Sequence, residues 1–124
     1  MSMTQSKGQI EAQIAAAITT FEREQMGRGP REVRAWIVED MILVRLKDVL
    51  TPAEKRLTDD PNGRYMLKGL RTRLIENSRR VLDELIESLT GVSTVSLHSD
   101  LSIRTGERMI VFTLAENLEA RFRR

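Results

Sequence analysis

The first half of the chain changes from a helical to a strand-like spacing of apolar residues. Between residues 8 and 26, apolar side chains recur every three or four positions, which predicts an amphipathic helix. The glycine- and proline-rich segment 27–30 predicts the end of this helix. Residues 32–38 and 41–47 are rich in β-branched and aliphatic side chains and predict two strands. The two residues between them, Glu39-Asp40, predict a short turn and therefore a first β-hairpin.

A strong helix start follows the first hairpin. Thr51 is suited to cap a helix, Pro52 to occupy its first position and Glu54 to complete a capping box. Because segment 59–63 is rich in helix breakers, this helix is expected to be short. Glu54 also has an alternative interpretation as a catalytic acid, but capping accounts for every residue of the motif.

Residues 64–90 predict the longest helix, which Gly91 ends. Polar Asn77 and Ser78 interrupt its apolar stripe near the middle. A helix of this length spans about 40 Å, more than a small sheet covers. Part of its apolar face is therefore expected to serve a second subunit.

The last third of the chain predicts a second hairpin, with strands at 92–101 and 107–115. Gly106 supplies a left-handed position for the turn between them. The tail, residues 117–124, is expected to form a short helix or a frayed end, and residues 1–7 a flexible N-terminus.

The predicted order of elements is αββααββ(α), which indicates an α+β fold. Two hairpins are expected to merge into a four-stranded antiparallel sheet, packed by helices as a two-layer sandwich within a single domain, 1–124. One face of such a sheet can remain in water. Trp36, with Met41 or Leu43, is predicted to lie on that outer face, which suggests dimerisation or ligand contact, although a second covering helix is an equally simple interpretation.

Composition narrows the possible functions. The chain has 124 residues, of which 31% are charged, and a net charge of +2, which gives no reason to expect a nucleic-acid partner. It has no cysteine, so thiolate catalysis and disulfides are excluded and a cytoplasmic location is permitted. No apolar run approaches the roughly 18 residues that span a membrane, so no signal segment and no direct membrane insertion are expected.

The only histidine, His98, lies between Ser96 and Asp100 along one predicted strand. Strand alternation places the three side chains on one face, spaced about 6.6 Å apart, which does not build a hydrolase triad. A metal or proton site at His98 and Asp100 lacks companion ligands. The sequence therefore predicts no catalytic residue, no metal site and no cofactor, and favours a hydrogen-bonded surface or interface histidine.

Several arginines are candidates for binding a small anion or ligand. Arg28 lies in a glycine-rich loop that lacks the lysine and hydroxyl residue of a P-loop. Together with Arg45, Arg108 and His98 it forms the predicted ligand-binding set. The alternative is that all of these arginines form structural ion pairs, because the acidic residues nearly balance the basic ones and leave a net charge of only +2.

Contact with a partner is predicted at Trp36 and at the tip of the second hairpin, since function concentrates on loops held by rigid elements. The tip comprises Arg104, Thr105, Gly106 and Glu107. Arg34 and Lys47 extend a basic patch over the first hairpin if the strand register turns them to the same side. A solvated hairpin tip is the alternative interpretation.

Four ordered segments resemble the MpsC-like family, a bacterial group of small proteins. They are the loop at 27–30, the strand at 40–47, the helix start at 50–54, and the second hairpin, at 96–100 and 105–114. The resemblance covers roughly residues 7–115. The family's name implies a link to a cation-translocating, membrane-potential-generating system that is also connected with inorganic-carbon uptake. The resemblance carries no catalytic residues over to this chain.

These observations favour a non-enzymatic, homodimeric, cytoplasmic accessory or regulatory protein of a membrane transport system. A small-anion or small-ligand sensor that uses the arginines is the alternative. An unrecognised enzyme and a nucleic-acid module are further alternatives with less support from the residues.

Overall fold

The computed structural model describes residues 5–123 and confirms the predicted α+β class, with four α-helices and four strands. In chain order the elements are α1 (Lys7–Gln25), β1 (Glu32–Val38), β2 (Met41–Lys47), α2 (Pro52–Leu57), α3 (Pro61–Asn77), α4 (Arg79–Thr90), β3 (Thr94–Ser102), β4 (Glu107–Leu114) and a short 3₁₀ helix (Glu119–Phe122). Residues 1–4, which include most of the predicted flexible N-terminus, and residue 124 lie outside the described residues.

The two hairpins merge into one antiparallel sheet of order β1-β2-β4-β3. The first hairpin has the predicted strand limits, and Glu39 in its turn has a positive φ of 55°. Gly106 has a φ of 72°, which confirms the predicted left-handed position in the second turn. Because β2 pairs with β4, both hairpins contribute a central strand, and β1 and β3 form the edges.

All four helices lie on one side of the sheet, where alternate strand residues are fully buried. The core combines those residues with the apolar stripe of α1, and its central members are Ile14, Ile18, Ile37, Ile42, Val44, Ile110 and Phe112. The edge of β1 is also covered from this side, since the Ile37 amide donates to a Glu11 carboxylate oxygen at 2.7 Å. Such cover protects an edge strand from pairing with other chains.

The single long helix predicted over 64–90 is wrong: the segment forms two helices, and the first begins earlier, at Pro61. The break falls at Ser78, where φ is −95° and ψ is 4°. Asparagine and serine side chains compete for backbone hydrogen bonds and favour helix ends. Asp60 caps α3 by accepting from the Gly63 amide at 2.7 Å, so the supposed breaker segment is in fact a helix start.

The predicted capping box at the start of α2 is confirmed. The Thr51 hydroxyl accepts from the Glu54 amide at 3.1 Å, and a Glu54 carboxylate oxygen accepts from the Thr51 amide at 2.8 Å. The same carboxylate also accepts from the buried Arg71 guanidinium of α3, at 2.5 and 2.8 Å. Glu54 therefore joins the start of α2 to the core-facing side of α3.

Candidate functional site

The side of the sheet away from the helices, here called the open face, carries an apolar row across all four strands. Trp36 lies opposite Leu43, which lies opposite Val111, which lies opposite His98. The three apolar side chains of this row are half-buried and His98 is exposed. The structure therefore places Trp36, Met41 and Leu43 on one outer face.

The rows on either side of the apolar row differ in character. Toward the first-hairpin turn, Val38 and Met41 continue the apolar surface, and the hydroxyls of Ser96 and Thr113 hydrogen-bond to each other. In the next row toward the second-hairpin tip, Arg34 on β1 lies opposite Arg45 on β2. The open face is thus apolar at its centre and charged at the end that bears the second-hairpin tip.

That charged end forms a groove of about 700 Å³, here called the basic groove. Its lining residues are Arg31, Arg45, Lys47, Asp48, Thr105 and Glu107. Three cations thus face two carboxylates, and Asp48 is also paired with Arg28 at 2.7 Å and with Lys55 at 3.4 Å. The excess of cationic hydrogen-bond donors suits an anion or an acidic peptide.

The structure brings some of the predicted ligand residues together and separates others. Arg45 lines the basic groove, and Arg28 reaches the groove through its ion pair with Asp48. His98 lies on the open face but one row away from Arg45, on the far edge strand. Arg108 points to the opposite side of the sheet and is only 1% exposed. The predicted set is therefore divided between two faces.

The predicted partner-contact residues lie together at one end of the molecule. The turn at the second-hairpin tip adjoins the end of the first hairpin, since the Val49 amide donates to the Gly106 carbonyl at 3.0 Å. Glu107 holds Arg45 at 2.6 Å and so fixes one wall of the basic groove. Arg104 and Thr105 are exposed.

Two groove residues, Arg31 and Asp48, were not among the residues singled out from the sequence. Arg31 precedes β1 and Asp48 follows β2, so an antiparallel hairpin brings both to its open end. The hairpin prediction contained this signal. Neither residue, however, belongs to a predicted strand or turn, so the sequence alone assigns neither of them a role.

Arg108 belongs to a buried ionic cluster beneath the sheet. One nitrogen of its guanidinium donates to the Ser99 hydroxyl at 2.9 Å. Glu22 of α1 is fully buried, and neither of its carboxylate oxygens has a hydrogen-bond partner within residues 5–123. Burial raises the pKa of Glu22, and the charges of Arg108 and Arg71 offset that rise only in part. Burial likewise lowers the pKa of Arg108, against the opposing charge of Glu22.

The raised pKa of Glu22 predicts a pH-dependent contribution to stability. A carboxyl that holds its proton more tightly in the folded chain contributes fully below its ordinary pKa, and the contribution falls as pH rises through the folded value. Each unit of difference between the folded and unfolded pKa corresponds to roughly 1.4 kcal/mol. Glu22→Gln, which mimics the protonated acid, is therefore expected to raise the free energy of unfolding at neutral pH.

Urea unfolding between about pH 4 and pH 8 measures this effect as the difference between the variant and the original chain. Glu54 contributes an opposite dependence of stability on pH to both proteins, so subtracting one pH profile from the other removes it. Burial of the Glu54 carboxyl opposes ionisation, but hydrogen bonds from Arg71 and Thr51 outweigh burial and hold the pKa of Glu54 below its ordinary value. Parallel pH profiles for the two proteins would contradict the assignment to Glu22.

Within residues 5–123, no group of three His, Asp or Glu side chains is arranged to hold a metal ion. No helix in that part of the chain has the length and apolar character needed to cross a membrane. The fold and the site define an open-faced α+β sandwich, in which helices cover one side of a sheet and the other side carries an apolar row and a basic groove.

The chain belongs to the family described as "Na+-translocating membrane potential-generating system (MpsC)", whose model matches residues 6–116. This match confirms the resemblance seen in the four sequence segments. The open-faced sandwich is thus the structure of an MpsC family member.

Two relatives come from Bacillus subtilis (strain 168). The chain is 43% identical over 117 residues to the uncharacterised protein YbcI, with 94% of each chain covered. It is 29% identical over 103 residues to the uncharacterised protein YrhF, covering 82% of this chain and 84% of that one. No solved structure matches this chain significantly.

Proposed function

We propose that this chain is a non-enzymatic, homodimeric accessory or regulatory protein of a membrane-bound cation-translocating system and acts from the cytoplasm. The observation that carries the proposal is the basic groove beside the second-hairpin tip, a rigid charged surface built from two hairpins. The family description, which names a Na+-translocating system, supplies the physiological context. We propose that the system served by this chain also takes part in inorganic-carbon uptake.

The groove is suited to contact because its walls are held by the sheet. Arg45 and Lys47 project from the central strand β2, and Glu107 from the other central strand, β4. Rigid strands position charged side chains with little loss of entropy on binding. An acidic segment of a membrane protein is the partner that this charge pattern favours.

A double variant, Arg31→Glu with Arg104→Glu, tests this surface. Both side chains are exposed and neither forms an ion pair among the described residues, so folding is expected to be unaffected. In vesicles from cells that lack the gene, we expect the purified original chain to restore the Na+-dependent membrane potential. The double variant is expected to require about tenfold more protein, which corresponds to a loss of about 1.4 kcal/mol of binding free energy.

The matched control is Arg80→Glu, a charge reversal at an exposed position of α4, a helix that contributes no lining residue to the groove. It is expected to restore the potential as well as the original chain. Deletion of the gene without effect on the potential, or full restoration by the double variant, would contradict the accessory role.

Binding of a small anion is the second candidate, and it rests on the excess of cations in the same groove. In this case bicarbonate, phosphate or nucleotides would raise the melting temperature of the original chain more than that of the double variant. Absence of any stabilisation would count against this candidate without affecting the first.

A further inference from the structure

Exposed apolar side chains are concentrated on α2 and α3. Within residues 5–123, seven large apolar side chains are exposed, and four of them fall between positions 57 and 70. Their exposed fractions range from 42% for Leu57 to 83% for Tyr65. A cluster of apolar side chains in water marks a surface that contacts a protein or a membrane.

The two helices form one continuous surface. The end of α2 lies against the first turn of α3, since a Cβ atom at Gly63 would lie 1.8 Å from the Leu57 carbonyl oxygen. The buried positions of α3 recur every four residues from Gly63 to Ile75, and its exposed apolar positions lie off that stripe. The surface, here called the α2–α3 surface, comprises the apolar Leu57, Tyr65, Met66 and Leu70 and the cationic Arg56, Arg64, Lys68 and Arg73.

The same segment carries an excess of positive charge. Positions 55–73 hold six basic and two acidic residues, so the rest of the chain, from totals of 20 and 18, holds 14 basic and 16 acidic ones. Two lysines of the segment are paired with carboxylates outside it, and one arginine is buried. The other three cations form no ion pair with a carboxylate among residues 5–123: Arg56, Arg64 and Arg73.

A groove of about 570 Å³ runs along α3 beside the second-hairpin tip and is here called the α3 groove. Gly69 contributes no side chain to it, and a Cβ atom there would meet no heavy atom within 4 Å. Three cations, one carboxylate and two apolar side chains contribute to its lining: Arg64, Lys68, Arg73, Glu76, Tyr65 and Ile103. Cationic donors beside apolar walls suit the phosphate of a lipid headgroup and the start of its acyl chains.

We propose that the α2–α3 surface docks on a membrane that contains anionic lipids, with lipid phosphates in the α3 groove. The contact is peripheral: Tyr65, Met66 and Leu70 enter the headgroup region, and the cations pair with phosphates. This inference rests on the proposed function for placing the chain at a membrane. It deepens that function by assigning the surface that meets the lipid.

The chemistry of the α2–α3 surface favours lipid over other occupants. An acidic peptide segment or a nucleic acid would pair with the cations but offers no apolar layer for Met66 and Leu70. A second copy of the chain would bring the same cations together, because a two-fold interface apposes identical patches, and like charges repel. An anionic bilayer offers phosphates at its surface and apolar chains directly below them, and tyrosine rings are enriched at that boundary.

Docking in this orientation brings the basic groove to the membrane. Asp48, which lines the basic groove, is paired at 3.4 Å with Lys55 of α2. The groove therefore adjoins the α2–α3 surface. An acidic segment that a membrane protein exposes close to the bilayer is then within reach of the groove.

Co-sedimentation with protein-free vesicles tests the proposal. Vesicles of phosphatidylcholine with about one third phosphatidylglycerol are expected to bind the original chain at least about tenfold more tightly than pure phosphatidylcholine. Salt at about 1 M, where charges are screened beyond about 3 Å, is expected to release the chain. Equal binding to the two kinds of vesicle, or binding to neither, overturns the proposal.

Variants of the surface test its two components. Arg73→Glu replaces an attraction by a repulsion and is expected to weaken binding to anionic vesicles at least about tenfold. Met66→Gln with Leu70→Gln removes two apolar side chains, with an expected loss of at least about tenfold. Arg34→Glu and Val38→Gln make the same kinds of change at exposed positions of the open face, on the other side of the sheet, and are expected to bind within about twofold of the original chain. Full binding by either surface variant overturns the assignment.

Fluorescence identifies the side of the protein that meets the lipid. Trp36 is the only tryptophan and lies on the open face, so its emission is expected to stay unchanged when anionic vesicles are added. Tyr65→Trp adds a tryptophan on the α2–α3 surface, and its emission is expected to shift to the blue as the ring leaves water. A blue shift from Trp36 in the original chain, or none from Tyr65→Trp, overturns the proposal.

Two further outcomes would assign the surface to another occupant and so overturn the proposal. Complete displacement from vesicles by millimolar glycerol phosphate would show that the α3 groove takes a soluble phosphate ester. A dimer in sedimentation equilibrium that Met66→Gln with Leu70→Gln abolishes would show that a second copy covers the surface.

The vesicle experiment can fail independently of the proposed function. Its vesicles contain no protein, whereas the membrane-potential experiment uses native membranes and alters Arg31 and Arg104 only. Restored potential without lipid binding contradicts the lipid surface alone. Lipid binding without restored potential contradicts the accessory role alone.

Discussion

Replacing Arg71 with methionine is expected to lower the free energy of unfolding by about 3–5 kcal/mol. Arg71 is 1% exposed and lies on the core-facing side of α3. Its guanidinium donates to both carboxylate oxygens of Glu54 and to the Val49 carbonyl, the latter at 2.9 Å. Methionine fills a similar volume but leaves the carboxylate and the carbonyl without this donor. The cost is therefore one of polar groups losing a buried partner rather than of a cavity.

Urea unfolding followed by circular dichroism measures this loss. The matched control is Arg73→Met, which makes the same chemical change two positions later at an exposed site of the same helix. It is expected to alter stability by no more than about 0.5 kcal/mol. Equal effects at the two positions would contradict a buried structural role for Arg71.

A second variant identifies the carboxylate as the partner. Glu54→Gln in the Arg71→Met background removes the unpaired charge but keeps an oxygen that can accept from the Thr51 amide of the capping box. Because no buried charge is then left without a partner, the double variant is expected to recover part of the lost stability. A purely additive double variant would show that the two side chains do not act as a pair.

Replacing Gly63 with alanine is expected to lower the free energy of unfolding by about 1–3 kcal/mol or more. A Cβ atom at Gly63 would lie 1.8 Å from the backbone oxygen of Leu57, at the end of α2. Backbone atoms cannot rotate away as a side chain can, so α2 and α3 must separate. This cost outweighs the gain of about 1 kcal/mol that alanine brings to a helix interior.

The same substitution at Gly69, in the same helix, is expected to have the opposite effect on stability. A Cβ there meets no heavy atom within 4 Å, so Gly69→Ala is expected to raise stability by about 0.4–1 kcal/mol. The two variants make the same chemical change six residues apart and are predicted to differ in sign. Thermal unfolding of both compares them directly, and a stabilising Gly63→Ala would refute the close approach of α2 and α3.

Local sequence signals were sufficient to predict the strands and most helix ends. The limits of β1 and β2, the capping box at Thr51 and the left-handed Gly106 each depend on a few neighbouring residues. The helix break at Ser78 was not predicted, although the polar pair before α4 interrupts the apolar stripe. A short polar interruption is compatible with one helix or with two, and only packing against the sheet distinguishes them.

The candidate site was predicted in part. The sequence pattern predicted Trp36 on an outer face and a partner contact at the second-hairpin tip, and the structure joins this tip to the first hairpin through the β2–β4 pairing. It could not predict that Arg108 is buried while Arg45 is exposed. The two side chains lie on adjacent strands, and a shift of one residue in register would exchange their faces.

By itself, the sequence determined the strands, the helix starts at Ser6 and Thr51, the fold class and the family, because periodicity, capping and turn chemistry act over a few residues. Only the tertiary structure decided which charges enter the core and which line a surface. Burying Arg71, Arg108 and Glu22 depends on partners from distant parts of the chain, and their spacing along it carries no sign of the pairing. The open face is likewise a product of strand order, since its rows combine residues from four strands.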